Sequence, residues 1–207
     1  SNISPNAFEN NQITSISTPS SLGNIGSYAF NNNHITNVSF SLGLRYIGSY
    51  AFANNLITSV SLPESVDYAD DGAFKNNLIT SISIPEGFGS FSNRLFENNL
   101  ITNILLPSSL SNIGSYSFAN NQITTINFPS TLTGIGQYAF TNNQITTASL
   151  PSNCDVQSYA FYNNNLTSLT LPSNQSSISE YAYANNQLET VILPSSLTGI
   201  NNSAFRN

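Results

Sequence analysis

Six of the chain's ten carboxylates fall within residues 64–97: Glu64, Asp67, Asp70, Asp71, Glu86 and Glu97. Oxygen-rich acidic turns suit a hard divalent cation, so calcium held by Glu64, Asp67, Asp70, Asp71 and Glu86 is the metal chemistry this segment could support. The DxDxDG spacing of a calcium loop is absent, and a solvated acidic surface is the plainer reading. A nucleophile with its base is the other chemistry to seek. His34 and Cys154 are the only histidine and cysteine, and they lie more than five repeats apart, roughly 25 Å along a stack at strand spacing. They cannot form a dyad. One cysteine also excludes an intramolecular disulfide or a Cys-cluster zinc site, which leaves Cys154 as a small buried hydrophobe or a free thiol for coupling. No catalytic constellation and no cofactor are expected.

Evenly spaced hydroxyls and amides are a third resource. Thr58, Thr80, Thr102 and Thr124 recur at a fixed step, beside Ser59, Ser61, Ser81, Ser83, Asn103, Leu105, Thr125 and Asn127. Such a rank could pair within a sheet, could order water as ice-binding solenoids do, or could meet a partner. Tyrosines recur in the same way, at Tyr28, Tyr50, Tyr116, Tyr138, Tyr159 and Tyr181. They are expected to pack at a corner of the stack, with a rail for sugar rings as the alternative.

The elements that would position these residues follow from the repeat itself. An aromatic stands at Phe8, Phe30, Phe52, Phe74, Phe96, Phe118, Phe140, Phe161, Tyr183 and Phe205, at a spacing of 22 except for one step of 21. Asn follows two and three places later, and the unit reads AFxNNxITxIxLPxSLxxIGxY. Its Ile-x-Leu alternation before Pro predicts a short strand, since Pro cannot donate to a ladder. The SLxxIGxY portion predicts a turn and one tight helical turn. A unit this short cannot bury its apolar residues alone, so the copies must stack. The expected fold is a right-handed α/β solenoid of about nine turns over residues 1–207, a single domain with one parallel sheet and short helical or 3-10 turns on its convex side. The paired Asn columns are expected to close the turn and bridge neighbouring repeats. Lys75 and Glu97, one period apart, predict a surface ion pair worth about 0 to 1 kcal/mol.

These residues resemble the BspA-like leucine-rich repeats of bacterial and protozoan surface proteins, whose unit is similar to AFxxCxxLxxIxLPxSLxxIGxx. The resemblance spans the chain, with Asn where that family often places Cys. It implies a non-enzymatic extracellular or cell-surface module that adheres to a protein or glycan. A structural segment that stacks end to end into a filament, and an ice-binding solenoid, are the other readings of the same residues.

Composition narrows the partners. Charged residues make up 7% of the chain, the net charge is -6, and only Arg45, Lys75, Arg94 and Arg206 are basic. No basic patch for nucleic acid can be assembled from them. No apolar run is long enough to insert in a membrane. The chain has no Met and starts within the pattern, so it reads as an interior piece of a longer protein with both ends uncapped.

Overall fold

A computed structural model describes all 207 residues, and it is a parallel β-solenoid. Each turn contributes two short extended segments rather than one. Three-residue strands lie at Ser15–Ser17, Asn37–Ser39, Ser59–Ser61, Ser81–Ser83, Thr147–Ser149 and Ser168–Thr170. Two-residue strands recur in the IG portion of the repeat, among them Asn24–Ile25, Tyr46–Ile47, Tyr68–Ala69, Asn112–Ile113 and Gly134–Ile135. All pairings are parallel, with each residue opposite its equivalent one repeat on, as in Ser59 with Ser81 and Ile25 with Ile47. The expected single sheet is therefore two sets of ladders on different sides of the coil. The IG segment reads as a turn in the sequence because only two residues per repeat are extended there, too few for alternation to register.

The expected helical turns do not form, and the reason lies in the backbone. The residue two before each aromatic has φ between 53° and 63° in every repeat, from Asn6 through Tyr28, Tyr50, Gly72, Arg94 and Tyr116 to Ser203. A left-handed residue interrupts any right-handed helical run. What results is a four-residue turn, Ala29 N–H donating to Gly26 O at 3.2 Å with Tyr28 third, the place where a type II turn takes positive φ. A second turn follows, closed by Asn31 N–H on Tyr28 O at 3.1 Å. Between these internal bonds, Tyr28, Phe30 and Asn32 donate to Ser49, Ala51 and Ala53 of the next coil at 2.8, 2.8 and 3.0 Å. Alternate residues thus close the corner and tie it to its neighbour.

Both Asn columns serve that corner. The first, Asn10 to Asn185, is left-handed throughout, with φ of 53° to 57°. Asn tolerates this region better than other residues with a Cβ. Its amides form a ladder, with Asn76, Asn98, Asn120 and Asn142 each donating to the Asn one turn before at 2.6 to 2.7 Å. The second column is buried. Asn55 donates to Phe30 O and Phe52 O at 2.9 and 3.2 Å and accepts from Ile35 N–H at 3.0 Å. One side chain so satisfies backbone groups on two turns, and Asn77, Asn99, Asn121 and Asn143 repeat it.

Inside, the ten aromatics form one unbroken stack from Phe8 to Phe205, with centroids 5.1 to 5.7 Å apart and planes within 3° to 19°. Ranks of Ile and Leu complete a single core of 46 buried residues. The 21-residue step keeps Cys154 at the Leu position: its N–H bonds Pro151 O as Leu132 N–H bonds Pro129 O. Cys154 is buried there.

Candidate binding face

The three-residue strands place alternate side chains in and out. Val60, Ile104, Ile126 and Ala148 point into the core. Ser59, Ser61, Ser81, Ser83, Asn103, Leu105, Thr125, Asn127, Thr147 and Ser149 are all exposed, as their alternation predicts. The resulting surface is a grid of small polar groups. Register ties the columns together, Ser59 opposite Ser81 and Asn103 opposite Thr125. Leu105, 88% exposed, stands in the middle of this polar field, and Ile192, 84% exposed, takes the same outward position near its far end.

The threonine rank at its border is partly committed to the scaffold. Thr36 and Thr80 hydroxyls donate to Thr14 O and Thr58 O at 3.3 Å, and Thr167 donates to Thr146 O at 3.4 Å. Thr58, Thr80 and Thr102 are exposed, while Thr124 is half-buried. Asn37 and Asn103 amides donate to the hydroxyls of Thr36 and Thr102 at 3.0 and 3.4 Å.

The five acidic candidates do not converge. Asp67 pairs with Arg45 at 3.2 Å on the open surface. Asp70 accepts from Tyr46 and Ser49 at 3.1 and 2.7 Å and from Asp71 N–H at 2.8 Å. Asp71 accepts from the Asn93 backbone at 3.0 Å. Glu86 accepts from Ser108 N–H and Oγ, both at 2.8 Å, and these bonds hold its carboxyl below the usual carboxylate range. Glu64 is exposed, and its carboxylate makes no hydrogen bond within the chain. No three of the chain's acidic, His or Cys side chains gather as metal ligands would.

Glu97 differs from the surface pair expected of it. Its carboxylate is 9% exposed and takes both Lys75 Nζ at 2.8 Å and Arg94 Nη1 at 3.0 Å. Arg94 fills the left-handed tyrosine position, and its guanidinium lies 4.4 Å over the Tyr116 ring. It thereby extends the stack of Tyr116, Tyr138, Tyr159 and Tyr181, whose centroids are 4.6 to 4.8 Å apart. Because these rings cover one another's faces, they offer edges rather than platforms to solvent. At Gly72 the column is cut, and Tyr50 leans across: a Cβ on Gly72 would stand 2.5 Å from its Cε1. Cation, ring and carboxylate are each visible in the sequence, but their meeting depends on Arg94 adopting the tyrosine backbone.

Cys154 and His34 sit on separate turns. Burial, with Asp155 adding to it, pushes the Cys154 thiol up to about 12, so it is neither nucleophile nor ready coupling site at neutral pH. A reading of the sequence passes over two polar atoms near that break. Gln175 stands at the next Leu position and Tyr183 in the aromatic column; Gln175 Oε1 and the Tyr183 hydroxyl are buried with no hydrogen-bond partner. Their departure from the repeat letters is the signal that could have exposed them.

Comparison with known proteins agrees with this geometry. The family profile described as BspA type leucine rich repeat region matches residues 1–121 and 89–207, in six copies. Three solved structures share the coil. A leucine-rich repeat protein from Bacteroides ovatus is 19% identical, with a TM-score of 0.54 over 91% of this chain and 72% of its own. A leucine rich cell surface protein from Faecalibacterium prausnitzii is 20% identical, with a TM-score of 0.56 over 100% of this chain and 74% of its own. The pneumococcal vaccine antigen PcpA is 20% identical, with a TM-score of 0.60 over 95% of this chain and 56% of its own. At these identities they attest the fold. No curated protein sequence matches the chain at a comparable standard.

Proposed function

Since the chain belongs to the BspA-type leucine-rich repeat family, we propose that it is a non-enzymatic recognition module of the cell surface or extracellular space, which holds a protein or glycan along its exposed strand face. The observation that carries this reading is the grid itself. Ser59, Ser81, Asn103, Thr125 and Thr147 form one exposed row and Ser61, Ser83, Leu105, Asn127 and Ser149 the next, on a rigid coil. Short polar side chains fixed on strands lose little entropy when they bond a partner, and many weak contacts add along the coil. The surface setting draws on the names of two structural neighbours, a cell surface protein and a vaccine antigen. Scattered cations and a net charge of -6 favour neutral or basic partners over nucleic acid.

The test is a screen of the immobilised chain against a glycan array and a panel of extracellular-matrix proteins. Saturable capture that is lost when Ser81 and Thr125 are both changed to Lys supports the reading. Absence of any capture, or capture indifferent to those changes, overturns it.

A second reading rests on the terminal turns. Phe8 and Ile200 are 42% and 50% exposed, and Ile3, Ile13 and Ile16 border the same opening as Phe8. One more turn of the repeat would cover them, whether from the same chain or from a second copy. Light scattering across a concentration series separates the two: growth in mass favours a filament, and a constant monomer removes it. Ice binding has less support, because the hydroxyls of Thr36, Thr80, Thr146 and Thr167 spend their proton on a carbonyl of the neighbouring turn and so interrupt the rank of free donors.

A further inference from the structure

Between residues 80–88 and 102–110 the coil parts. No backbone hydrogen bond joins these two stretches, although Leu100 N–H reaches Ile79 O on one side at 2.9 Å and Ser111 N–H reaches Gly89 O on the other at 2.8 Å. The strand ladder opens at other steps as well; at this one a cleft of mixed lining, an exposed leucine and a fixed anion coincide. The seam is closed by Glu86, whose carboxylate takes Ser108 and whose carbonyl accepts the Ser109 hydroxyl. A cleft of about 310 Å³ lies there, floored by Ile82, Ile84 and Leu106 and edged by Leu105 and Glu86. Every other acid of this region is partnered: Asp67 by Arg45, Glu97 by Lys75 and Arg94, Asp70 and Asp71 by neighbouring donors. Glu86 and Glu64, one turn apart in the same rank, have no cation. Of the two, only Glu86 borders the cleft, and its carboxylate is turned toward Ser108, where a cation from outside would neutralise it.

We propose that this seam is a docking site for a protein segment that carries an aliphatic side chain beside a Lys or Arg, the first seated against Leu105 and Ile84, the second on Glu86. The inference rests on the recognition reading and narrows it to a protein partner with basic character. An exposed leucine beside the cleft gains by losing its hydration on contact with an aliphatic side chain. A neutral glycan would leave both the aliphatic floor and the Glu86 charge unmatched. A bare divalent ion lacks ligands, since no three acidic, His or Cys side chains gather at the seam. The face provides orientation, and the seam provides selectivity.

The test uses the intact chain with labelled Leu and Ile methyl groups, titrated with two peptides, acetyl-Gly-Leu-Lys-Leu-Gly-amide and its counterpart with Glu in place of Lys. Saturating shifts at Leu105 and Ile84, with a Kd for the Lys peptide lower by about threefold or more, are expected. Glu86→Gln, which keeps an acceptor for Ser108, brings the two peptides within about twofold, and Leu105→Ser removes the shifts. No saturable shift at these methyls, equal affinity for both peptides, or full binding by Leu105→Ser overturns the proposal. The recognition reading fails separately. A partner captured in the screen and held equally well by Leu105→Ser and Glu86→Gln sinks the seam alone, whereas an empty screen sinks the wider reading while the titration still decides the seam.

Discussion

Turns 64–97 and turns 116–145 follow the same path with different side chains. In the later turns the tyrosine and paired-asparagine positions keep their repeat letters: Tyr116 and Tyr138 stack, Asn120 and Asn142 ladder, and Asn121 and Asn143 hold the corner. In the earlier ones Gly72 and Arg94 take the tyrosine place, Phe88 and Phe91 fill core sites, and Glu97 buries a carboxylate beside the ring column. Yet φ at residues 72 and 94 matches that at 116 and 138, and the aromatic stack runs through without a gap. Backbone geometry is thus carried by the buried Asn and the ring column, while the remaining positions are free to change. Charge accumulates, and a cleft opens beside it, where that freedom was used.

Removing a buried Asn from each region puts the shared scaffold under the greatest load. Asn99→Ala and Asn121→Ala each strip an acceptor from a buried isoleucine N–H and a donor from two carbonyls. Both are expected to cost about 3 kcal/mol or more in urea unfolding, and equally, because the scaffold is the same in both. A cost confined to Asn121 would show the irregular turns to be held by other means. Arg94→Gln should follow, at about 1 to 2 kcal/mol, since it loosens a nearly buried carboxylate and bares the Tyr116 ring while Lys75 remains. Tyr138→Phe, its opposite number in the regular turns, keeps the stack and is expected to change stability by less than about 0.5 kcal/mol.

A third region does badly what these two do well. Cys154, Gln175 and Tyr183 place polar atoms in core columns, two of them without partners. Tyr183→Phe restores the ring column and should raise stability by about 1 kcal/mol. Burial raises the Cys154 thiol from 9.0 to about 12, and the Tyr183 hydroxyl also rises. The unfolded chain then loses these protons first as pH rises past 9, so stability is whole below pH 9 and falls between pH 9 and 12. Each group contributes a slope of at most about 1.4 kcal/mol per pH unit. Cys154→Ala should flatten the alkaline limb of a denaturation series; an unchanged limb would contradict that assignment.

Much of the scaffold is legible in the letters because a repeat copies its own evidence. Ten aromatics and paired Asn columns declare a stacked coil by their spacing alone, and the alternation at Ser59-Val60-Ser61 gives the outward face residue by residue. Backbone conformation is what the letters hide. Tyr at a left-handed corner contradicts its usual preference, so neither the turn at Tyr28 nor the missing helix could be inferred from residue type. The site is half legible. Leu105 and Glu86 can each be singled out, but their meeting at one cleft depends on where the ladder opens, and ladder pairing between turns leaves no trace in composition.

Scaffold and recognition occupy different side chains of the same turns. Lysines on the face, Ser81→Lys with Thr125→Lys, separate the two when Tm and partner capture are measured on one preparation. Both residues are exposed, and neither holds the backbone of a neighbouring turn through its side chain. An unchanged Tm, within about 2 °C, together with loss of capture is the expected result. Capture that survives with the face charged, or a fold that melts well below the parent, would contradict the division.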